Sequence, residues 1–382
     1  MRRDRPKVLY LTYNFTPKLG GLEQVVSRTH AALRERADVV TLAQGARAHV
    51  DELERVHRPA GEGVLRFLGF LYTRGRRRVA GEQFDLVVSG SALTALPALH
   101  LARRHRARSV AINYGLDVIH PARIYQRVYR HAMPRIDRVI AISRATRDEA
   151  IARGVARERI TVIPPGCDSS AFQRPRPTQE LRERWGLGDA PVILSAGRLV
   201  ARKGLDGFVA RCLPQVVRSL PDTKLLVAGG NPVDALAHTD DIARQVQRTI
   251  ERSGMSEHVV VTGRLSDDEL VAAFQLADVF VLPAVPTPGD MEGFGIVLLE
   301  AGAAGLPVVA TALGGITDAV EDGETGRLVA PGDYSAMAAA LVDLLRDEGR
   351  RRAYGRSGQV RALGEFDWGP VSQRYAEAIL TA

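Results

Sequence analysis

Short apolar runs recur along the chain and alternate with longer stretches in which apolar residues are spaced three or four positions apart. Continuous apolar runs bounded by turn residues predict strands that are buried on both faces of a sheet. The clearest of these runs begin at Val8, Val39, Phe84, Ser109, Asp137, Ile160, Pro191, Lys224, Val259, Ala277 and Thr325. Strands that alternate with helices predict an α/β protein with parallel sheets and right-handed crossovers.

A proline-rich segment between Phe172 and Thr178 divides these elements into two sets and is typical of a linker. With 382 residues the chain is too long for one ordinary core and suits two domains. We predict a first domain over residues 1–176, a second over 177–365 and a last helix over 366–382. Each domain would be doubly wound, with ligands bound outside the carboxyl ends of its strands.

Two helical stretches carry detailed expectations. Residues 23–34 have helical spacing. This helix would bury Val25, Val26, His30 and Leu33. Residues 64–78 place aromatic and aliphatic residues beside an arginine cluster. We favour a domain helix that buries Phe67, Leu68 and Leu71 and solvates its arginines, and the alternative is an amphipathic segment lying on anionic lipid.

Charge is unevenly distributed. Residues 1–187 carry 34 Lys and Arg against 18 Asp and Glu, whereas the remainder carries 18 against 26. The basic half favours an anionic acceptor or contact with a membrane surface, and nucleic acid is disfavoured because the sequence contains no nucleic-acid-binding module.

Two cysteines, Cys167 and Cys212, imply no disulfide framework and predict a cytoplasmic protein. The sequence has no uninterrupted stretch of about 20 apolar residues, so no membrane span is predicted.

The stretch from Glu292 to Glu300 carries the candidate chemistry. Two glycines, Gly293 and Gly295, flank Phe294 where a strand leads into an apolar helix beginning near Gly295. Glycines at such a turn let backbone N–H groups approach a ligand closely, and a helix N-terminus suits a phosphate. The carboxylate of Glu300 could accept two hydrogen bonds from the diol of a ribose.

The two glutamates around Gly-Phe-Gly resemble the signature of the retaining GT-B glycosyltransferases of family 4. The similarity continues through residues 301–311 and 314–320. It implies two facing Rossmann-like domains, with the acceptor bound by the first, the nucleotide-sugar donor by the second, and the last helix crossing back to the first. It also implies that Glu292, Gly293, Phe294, Gly295, Ile296 and Glu300 bind the donor.

Further donor residues follow from the same resemblance. The frame Gly197-Arg198 with Lys203-Gly204 resembles the family's diphosphate site, which makes Gly197, Arg198 and Lys203 donor residues. Two cations beside a departing diphosphate would stabilise its growing charge. Arg264 and Leu265, which follow Gly263, match the segment whose backbone meets the nucleotide base.

In the first domain the resemblance gives Gly20 and Gly21 an acceptor role, and a tight turn is the alternative. Family members usually place a sugar-contacting histidine where Tyr114 stands, followed by glycine and then an acidic residue, here Asp117. A tyrosine still donates a hydrogen bond but cannot become a cation near neutral pH. Tyr114 and Asp117 are therefore catalytic candidates, with a core tyrosine as the alternative at 114.

The predicted reaction is retaining transfer of a hexosyl unit from a UDP- or GDP-sugar to a hydroxyl acceptor, with Glu292, Arg198 and Lys203 at its centre. The family needs no metal, no cofactor beyond the donor is expected, and the histidines show no metal-ligand spacing. A nucleotide-sugar epimerase and a non-catalytic nucleotide-sugar-binding protein are the alternatives. The donor sugar, the base, the acceptor, which could be a lipid, a glycan or an aglycone, and the oligomeric state stay open.

Overall fold

The computed structural model describes residues 5–15, 20–45, 55–231 and 241–382. These residues form two compact units. The first unit comprises Met1–Gly166 together with Trp368–Ala382, and the second comprises Cys167–Asp367. The units divide after Gly166 and after Asp367, whereas the predicted divisions lie after residues 176 and 365.

The first unit is built on a parallel sheet of seven strands in the order β3-β2-β1-β4-β5-β6-β7. Its strands are β1 Lys7–Thr12, β2 Asp38–Ala43, β3 Val56–His57, β4 Leu86–Ser89, β5 Arg108–Asn113, β6 Arg138–Ala141 and β7 Ile160–Val162. Its helices are α1 Gly21–Arg36, α2 Val64–Tyr72, α3 Arg74–Arg78, α4 Ala95–His105, α5 Leu116–Ile119, α6 Arg123–Ala132, α7 Arg144–Ile151 and, from the end of the chain, α18 Trp368–Leu380.

The predicted burial of α1 is confirmed. Its residues Val25, Val26, His30 and Leu33 are all buried, and His30 bonds Thr41 of β2 with Nε2 2.9 Å from Oγ1. Helix α18 packs beside α1. The hydroxyl of Tyr375 in α18 donates to the carbonyl oxygen of Ile163 at 2.7 Å. The last helix therefore completes the first unit.

The arginine-rich stretch at 64–78 forms α2 and α3, which are separated at Thr73. Phe67 and Leu71 are buried as predicted, whereas Leu68 is only partly buried. Leu65 on the same helix is 86% exposed, although it is as apolar as its buried neighbours. The stretch therefore serves as a domain helix on one face and presents an apolar side chain on the other.

The second unit is built on a parallel sheet of six strands in the order β10-β9-β8-β11-β12-β13. Its strands are β8 Val192–Ala196, β9 Lys224–Ala228, β10 Val259–Gly263, β11 Val279–Leu282, β12 Val308–Thr311 and β13 Gly326–Val329. Its helices are α8 Ser169–Gln173, α9 Gln179–Arg184, α10 Leu205–Gly207, α11 Leu213–Ser219, α12 Ile242–Arg252, α13 Asp267–Leu276, α14 Ile296–Ala303, α15 Ile316–Ala319, α16 Tyr334–Arg346 and α17 Glu348–Glu365. A π-helical turn over Phe208–Cys212 joins α10 to α11.

In both sheets the strand order reverses next to the first strand of the unit, at β1/β4 and at β8/β11. The loops after these strands leave the sheet in opposite directions, so they open a crevice at the carboxyl edge where such folds bind ligands. The predicted α/β class with doubly wound parallel sheets is thus confirmed for each unit. Across the described ranges, no helix combines the length and the apolar character needed to cross a bilayer.

Candidate active site

The loop after β8, residues 197–204, brings cations to the carboxyl edge of the second sheet. Lys203 reaches back to the strand end, where its Nζ donates to the carbonyl oxygen of Ala196 at 3.1 Å. Gly197 makes this possible, because a Cβ on it would lie 2.5 Å from Nζ and its φ of +115° suits glycine. Burial lowers the pKa of Lys203, and the charge of Glu292 opposes that shift.

Arg198 lies next to Gly197 and is exposed. No residue in the described part of the chain forms an ion pair or hydrogen bond with its guanidinium. A free guanidinium beside a partly buried ammonium can bind two oxygens of one phosphate group in the planar arrangement that arginine favours. The β8 loop therefore offers Arg198 and Lys203 together to an anion.

The loop after β11, residues 283–295, delivers Glu292 and leads into α14. Gly295 has a φ of +84° and immediately precedes the helix, whose first residue is Ile296. The first N–H groups of a helix have no partner within the helix, so this turn offers backbone donors to an anion. Phe294 is only 2% exposed and its ring lies 5.9 Å from that of Phe366. Phe294 can thus meet a ligand through its backbone alone.

A second glycine turn, Gly314–Gly315, fixes this loop from behind. The N–H of Gly315 donates to the carbonyl oxygen of Glu292 at 3.0 Å. A Cβ on Gly315 would lie 2.1 Å from the carbonyl oxygen of Gly293, so no larger residue fits against the loop. Close backbone packing therefore sets the position of Glu292 and Gly293.

Glu300 lies on α14, one helical turn beyond its start, and is partly buried. Burial raises the pKa of its carboxyl group to about 7, and the charge of Lys203 opposes the rise. With such a pKa the carboxyl group changes its protonation state near neutral pH. The protonated form accepts fewer hydrogen bonds than the carboxylate.

Arg202 is a buried cation that the sequence analysis did not single out. It precedes Lys203 and is 8% exposed. Its Nη1 lies 3.2 Å from Oδ2 of Asp290 and its Nε lies 3.3 Å from Oε2 of Glu292. The signal in the sequence was a second charged residue near each predicted one. Arg202 immediately precedes Lys203, and Asp290 lies two residues before Glu292.

The segment after β10 places Arg264 and Leu265 at the same carboxyl edge, with Arg264 exposed and Leu265 partly buried. Gly229, after β9, packs against the neighbouring β8 loop, since a Cβ there would lie 1.9 Å from the carbonyl oxygen of Gly197. Gly229 also pairs with Gly263 in an isolated bridge. The ends of three adjacent strands are therefore tied together beside the cations.

In the first unit, Gly20 and Gly21 stand at the start of α1, while residues 16–19 of the predicted loop lie outside the described residues. Gly20 has a φ of 171°, which any residue can adopt. A Cβ there would meet only the flexible carboxylate of Glu23, at 2.4 Å from Oε2. The backbone around Gly20 does not by itself require glycine, and the acceptor role stays a prediction.

Tyr114 and Asp117 follow β5 at the carboxyl edge of the first sheet. Asp117 accepts hydrogen bonds from the backbone N–H groups of Tyr114 at 2.8 Å and Ala92 at 2.9 Å. Burial raises the pKa of Asp117 to about 6, and these N–H donors oppose the rise. The hydroxyl of Tyr114 is buried and has no hydrogen-bond partner in the described residues. Asp117 thus joins two loops, and Tyr114 keeps an unused donor.

The second unit brings Gly197, Arg198, Lys203 and the segment Glu292–Glu300 to the neighbouring ends of β8 and β11. The first unit holds Gly20, Gly21, Tyr114 and Asp117. Among the residues that the structure describes, no three or more His, Cys, Asp or Glu side chains lie close enough together to hold a metal ion. The candidate donor-binding groups of the second unit are cations, backbone N–H groups and two carboxylates.

Comparison with known proteins places this geometry in a family. The model of glycosyl transferases group 1 matches residues 177–361, and that of glycosyltransferase family 4 matches residues 19–171. A GDP-mannose-dependent alpha-(1-6)-phosphatidylinositol monomannoside mannosyltransferase from Mycolicibacterium smegmatis is 34% identical over 391 residues, covering 97% of this chain and 98% of that protein. A Mycobacterium tuberculosis protein of the same name is 31% identical and covers 97% of both chains.

Among solved structures, Anabaena HepE in complex with UDP matches with a TM-score of 0.80 at 22% identity, covering 98% of this chain and 100% of that chain. WaaG, a glycosyltransferase of lipopolysaccharide biosynthesis, matches with a TM-score of 0.69 at 18% identity, over 98% and 100% of the two chains. These structures establish the two-domain GT-B fold. The chain belongs to glycosyltransferase family 4 and is a retaining hexosyltransferase that takes its sugar from a nucleoside-diphosphate donor.

Proposed function

We propose that the chain transfers a mannosyl unit from GDP-mannose to a phosphatidylinositol monomannoside, with retention at the anomeric carbon. The observation that carries this proposal is the similarity to the M. smegmatis mannosyltransferase of that specificity along nearly the full length of both proteins. A match in both units, rather than in the donor unit alone, supports a shared acceptor as well as a shared donor.

The β8 loop and the start of α14 supply what the leaving group needs. As the bond between the sugar and GDP breaks, negative charge grows on the diphosphate oxygens. Arg198, Lys203 and the N–H groups that follow Gly295 stabilise that charge. The acceptor oxygen forms its bond on the face that the phosphate leaves, and its proton passes to the departing phosphate oxygen. No covalent enzyme intermediate is needed.

The two carboxylates bind the two ends of the donor. Glu300 accepts hydrogen bonds from the ribose hydroxyls, and Glu292 accepts them from hydroxyls of the mannosyl ring. Arg264 and Leu265 meet the base through their backbone. In the first unit Asp117 holds the loop that carries Tyr114, and the buried hydroxyl of Tyr114 favours the core tyrosine over a contact with the sugar.

Gly20 and Gly21 serve the acceptor in this proposal. Gly20 precedes α1 and Gly21 is its first residue. A backbone without side chains at this turn admits a bulky headgroup more readily. A phosphatidylinositol headgroup is anionic, which agrees with the basic character of the first half of the chain.

The first unit also carries a surface suited to the membrane that holds such a lipid. Helix α4 packs between α2 and α6. These helices and α3 contain ten arginines and no acidic residue. The arginines are Arg66, Arg74, Arg76, Arg77, Arg78, Arg103, Arg104, Arg123, Arg127 and Arg130. Leu65 and Ile124 on α2 and α6 are 86% and 78% exposed. We refer to α2, α3, α4 and α6 as the arginine face.

Changing Arg74, Arg77 and Arg78 together to serine is expected to weaken binding to vesicles that contain anionic lipid by about 10²-fold, since each cation near such a surface contributes about 1 kcal/mol. Co-sedimentation with phosphatidylinositol-containing vesicles measures the change. Added salt should also weaken wild-type binding to these vesicles, because it screens the charges.

The matched control changes Arg244, Arg248 and Arg252 of α12, which are also exposed and lie in the second unit. Vesicle binding should survive this change. Equal losses in the two triple variants would mean that net charge alone, rather than the arginine face, attracts the chain to the membrane.

Changing Glu300 to glutamine is expected to weaken GDP-mannose binding at pH 8 and to abolish its pH dependence. In the wild type the carboxyl group gains its proton as the pH falls through about 7. Affinity should therefore drop about tenfold from pH 8 to pH 6. Calorimetry with GDP-mannose measures this, because its diester phosphates do not titrate in that range. Wild-type affinity in Glu300→Gln at pH 8 would refute the ribose assignment.

The proposed function is tested by incubating the chain with GDP-mannose and phosphatidylinositol monomannoside and identifying the product by mass spectrometry and by NMR of its anomeric proton. A dimannosylated lipid with a new α linkage is the expected product. UDP-glucose and other acceptors run in parallel. GDP-mannose whose sugar is epimerised without transfer would indicate an epimerase. Turnover with UDP-sugars alone would overturn the donor assignment.

A further inference from the structure

A buried group of charges surrounds Arg202. Arg202 bonds Asp290 and Glu292 at once, and the side chains of both acids are no more than 10% exposed. Its backbone carbonyl also accepts the N–H of Val285 at 2.8 Å. Arg202 therefore contacts both the beginning and the end of the β11 loop.

The turn around Arg202 has little freedom to move away from that loop. Gly204, two residues later, has a φ of +63°, and a Cβ on it would lie 2.2 Å from the carbonyl oxygen of Pro283. Within the loop, the N–H of Asp290 donates to the carbonyl oxygen of Thr287 at 3.1 Å. Packing thus brings the guanidinium of Arg202 to a fixed place beside two carboxylates.

This arrangement assigns different tasks to the three neighbouring cations. Arg198 is exposed and Lys203 lies against the end of β8, so both can meet a diphosphate. The guanidinium of Arg202 is directed at carboxylates instead. Of the two carboxylate oxygens of Glu292, the guanidinium binds Oε2, and no described residue donates to Oε1. One carboxylate oxygen is therefore held while the other is open to a hydroxyl group.

Electrostatics makes the arginine necessary for this geometry. Asp290 and Glu292 are two like charges in a poorly solvated place, and without a cation between them they would repel each other. Arginine suits the position better than lysine, because its planar group donates to two acids in fixed directions.

We propose that Arg202 is a positioning residue that orients the carboxylate of Glu292 for the transferred sugar, with Asp290 fixing the guanidinium in turn. This inference rests on the proposed function, in which Glu292 binds sugar hydroxyls. Because GDP alone has no sugar to reach Glu292, the proposal separates the binding of GDP from the turnover of GDP-mannose.

The experiment compares Arg202→Met, Arg202→Lys and the double variant Arg202→Met/Asp290→Asn. Arg202→Met should lower kcat by about 10²-fold through misplacement of Glu292, while the Kd for GDP stays within about threefold of wild type. Arg202→Lys should recover part of the lost kcat. Melting temperatures are recorded for every variant, since removal of one partner from a buried ion pair destabilises a protein.

The double variant separates positioning from stability. It removes one positive and one negative charge, so the melting temperature should recover towards wild type while kcat stays low. A combination of Arg202→Met with Glu292→Gln should be hardly slower than Glu292→Gln alone, because Arg202 acts through Glu292. If Arg202→Met unfolds the protein, the double variant and the single variant Asp290→Asn, which should lower kcat less, carry the comparison.

Three results would overturn the proposal. One is full activity in the double variant, which would make the role structural. Another is a loss of GDP affinity as large as the loss of kcat, which would make Arg202 a phosphate ligand. The third is additive losses with Glu292→Gln. A wild type that does not consume GDP-mannose would instead refute the proposed donor, and the series would then be run with the nucleotide sugar that it consumes.

Discussion

Replacing Lys203 with alanine is expected to lower kcat for mannosyl transfer by about 10²–10³-fold, as removal of one preorganised donor does in other enzymes. The Kd for GDP-mannose should rise much less. The reason is that the ammonium group lies against the end of β8, with Nζ 3.1 Å from the carbonyl oxygen of Ala196, in place before the reaction begins. Its interaction strengthens only as charge develops on the diphosphate, so it acts mainly on the transition state.

The measurement combines steady-state rates, followed by mass spectrometry of the lipid product, with calorimetry of donor binding. Lys224→Ala is the matched control, because Lys224 begins β9 and so lies at the amino end of its strand, away from the carboxyl edge that holds the site. A rise in the Kd for GDP-mannose with kcat unchanged in Lys203→Ala would show that Lys203 binds the donor no better in the transition state than in the ground state.

Replacing Gly315 with alanine is expected to lower kcat/KM by about 10²-fold, because a shift of about 1 Å at a reacting centre has that effect. The new Cβ would lie 2.1 Å from the carbonyl oxygen of Gly293 and 2.6 Å from Cα of Phe294. Both are backbone atoms, so the loop that carries Glu292 must move. The φ of Gly315 is −76°, which alanine adopts freely, and the effect is therefore steric.

The free energy of unfolding of Gly315→Ala should fall by about 1–3 kcal/mol, as overpacking usually costs, and urea denaturation measures it. Gly364→Ala on α17 is the control, because a Cβ there meets nothing within 4 Å. Alanine is favoured over glycine in a helix by up to about 1 kcal/mol, so this variant should be fully active and slightly more stable. Wild-type activity in Gly315→Ala would show that the loop tolerates displacement.

Eleven of the strands and α1 could be predicted from the sequence because their signal is local: a buried run or a buried helical face consists of consecutive residues. Strands β3 and β12 were not among the predicted runs. Helix α17 was not predicted, since the sequence analysis assigned no helix to residues 348–365. Its glycines weaken the local helical signal. Gly355 is required for packing, because a Cβ on it would lie 2.0 Å from the carbonyl oxygen of Gly305. Contacts distant in sequence decided this element.

The same distinction applies to the site. Motif resemblance located Arg198, Lys203, Glu292 and Glu300 on one edge of one sheet, and the structure places them there. It did not show that Phe294 is buried, because a single loop residue has no periodicity from which burial can be read. It did not show that Asp117 binds the N–H of Ala92 either. Hydrogen bonds between loops depend on the folded sheet and leave no trace in spacing.

The position of α18 has a consequence for how the protein is made. The first unit is discontinuous, and Tyr375, which binds the carbonyl oxygen of Ile163, belongs to its last segment. A ribosome adding about 5–20 residues per second needs about 10–40 s to synthesise the roughly 200 residues of the second unit before α18 emerges. The side of α1 that contacts α18 remains uncovered for that time. The unit that begins the chain is therefore the last to finish folding.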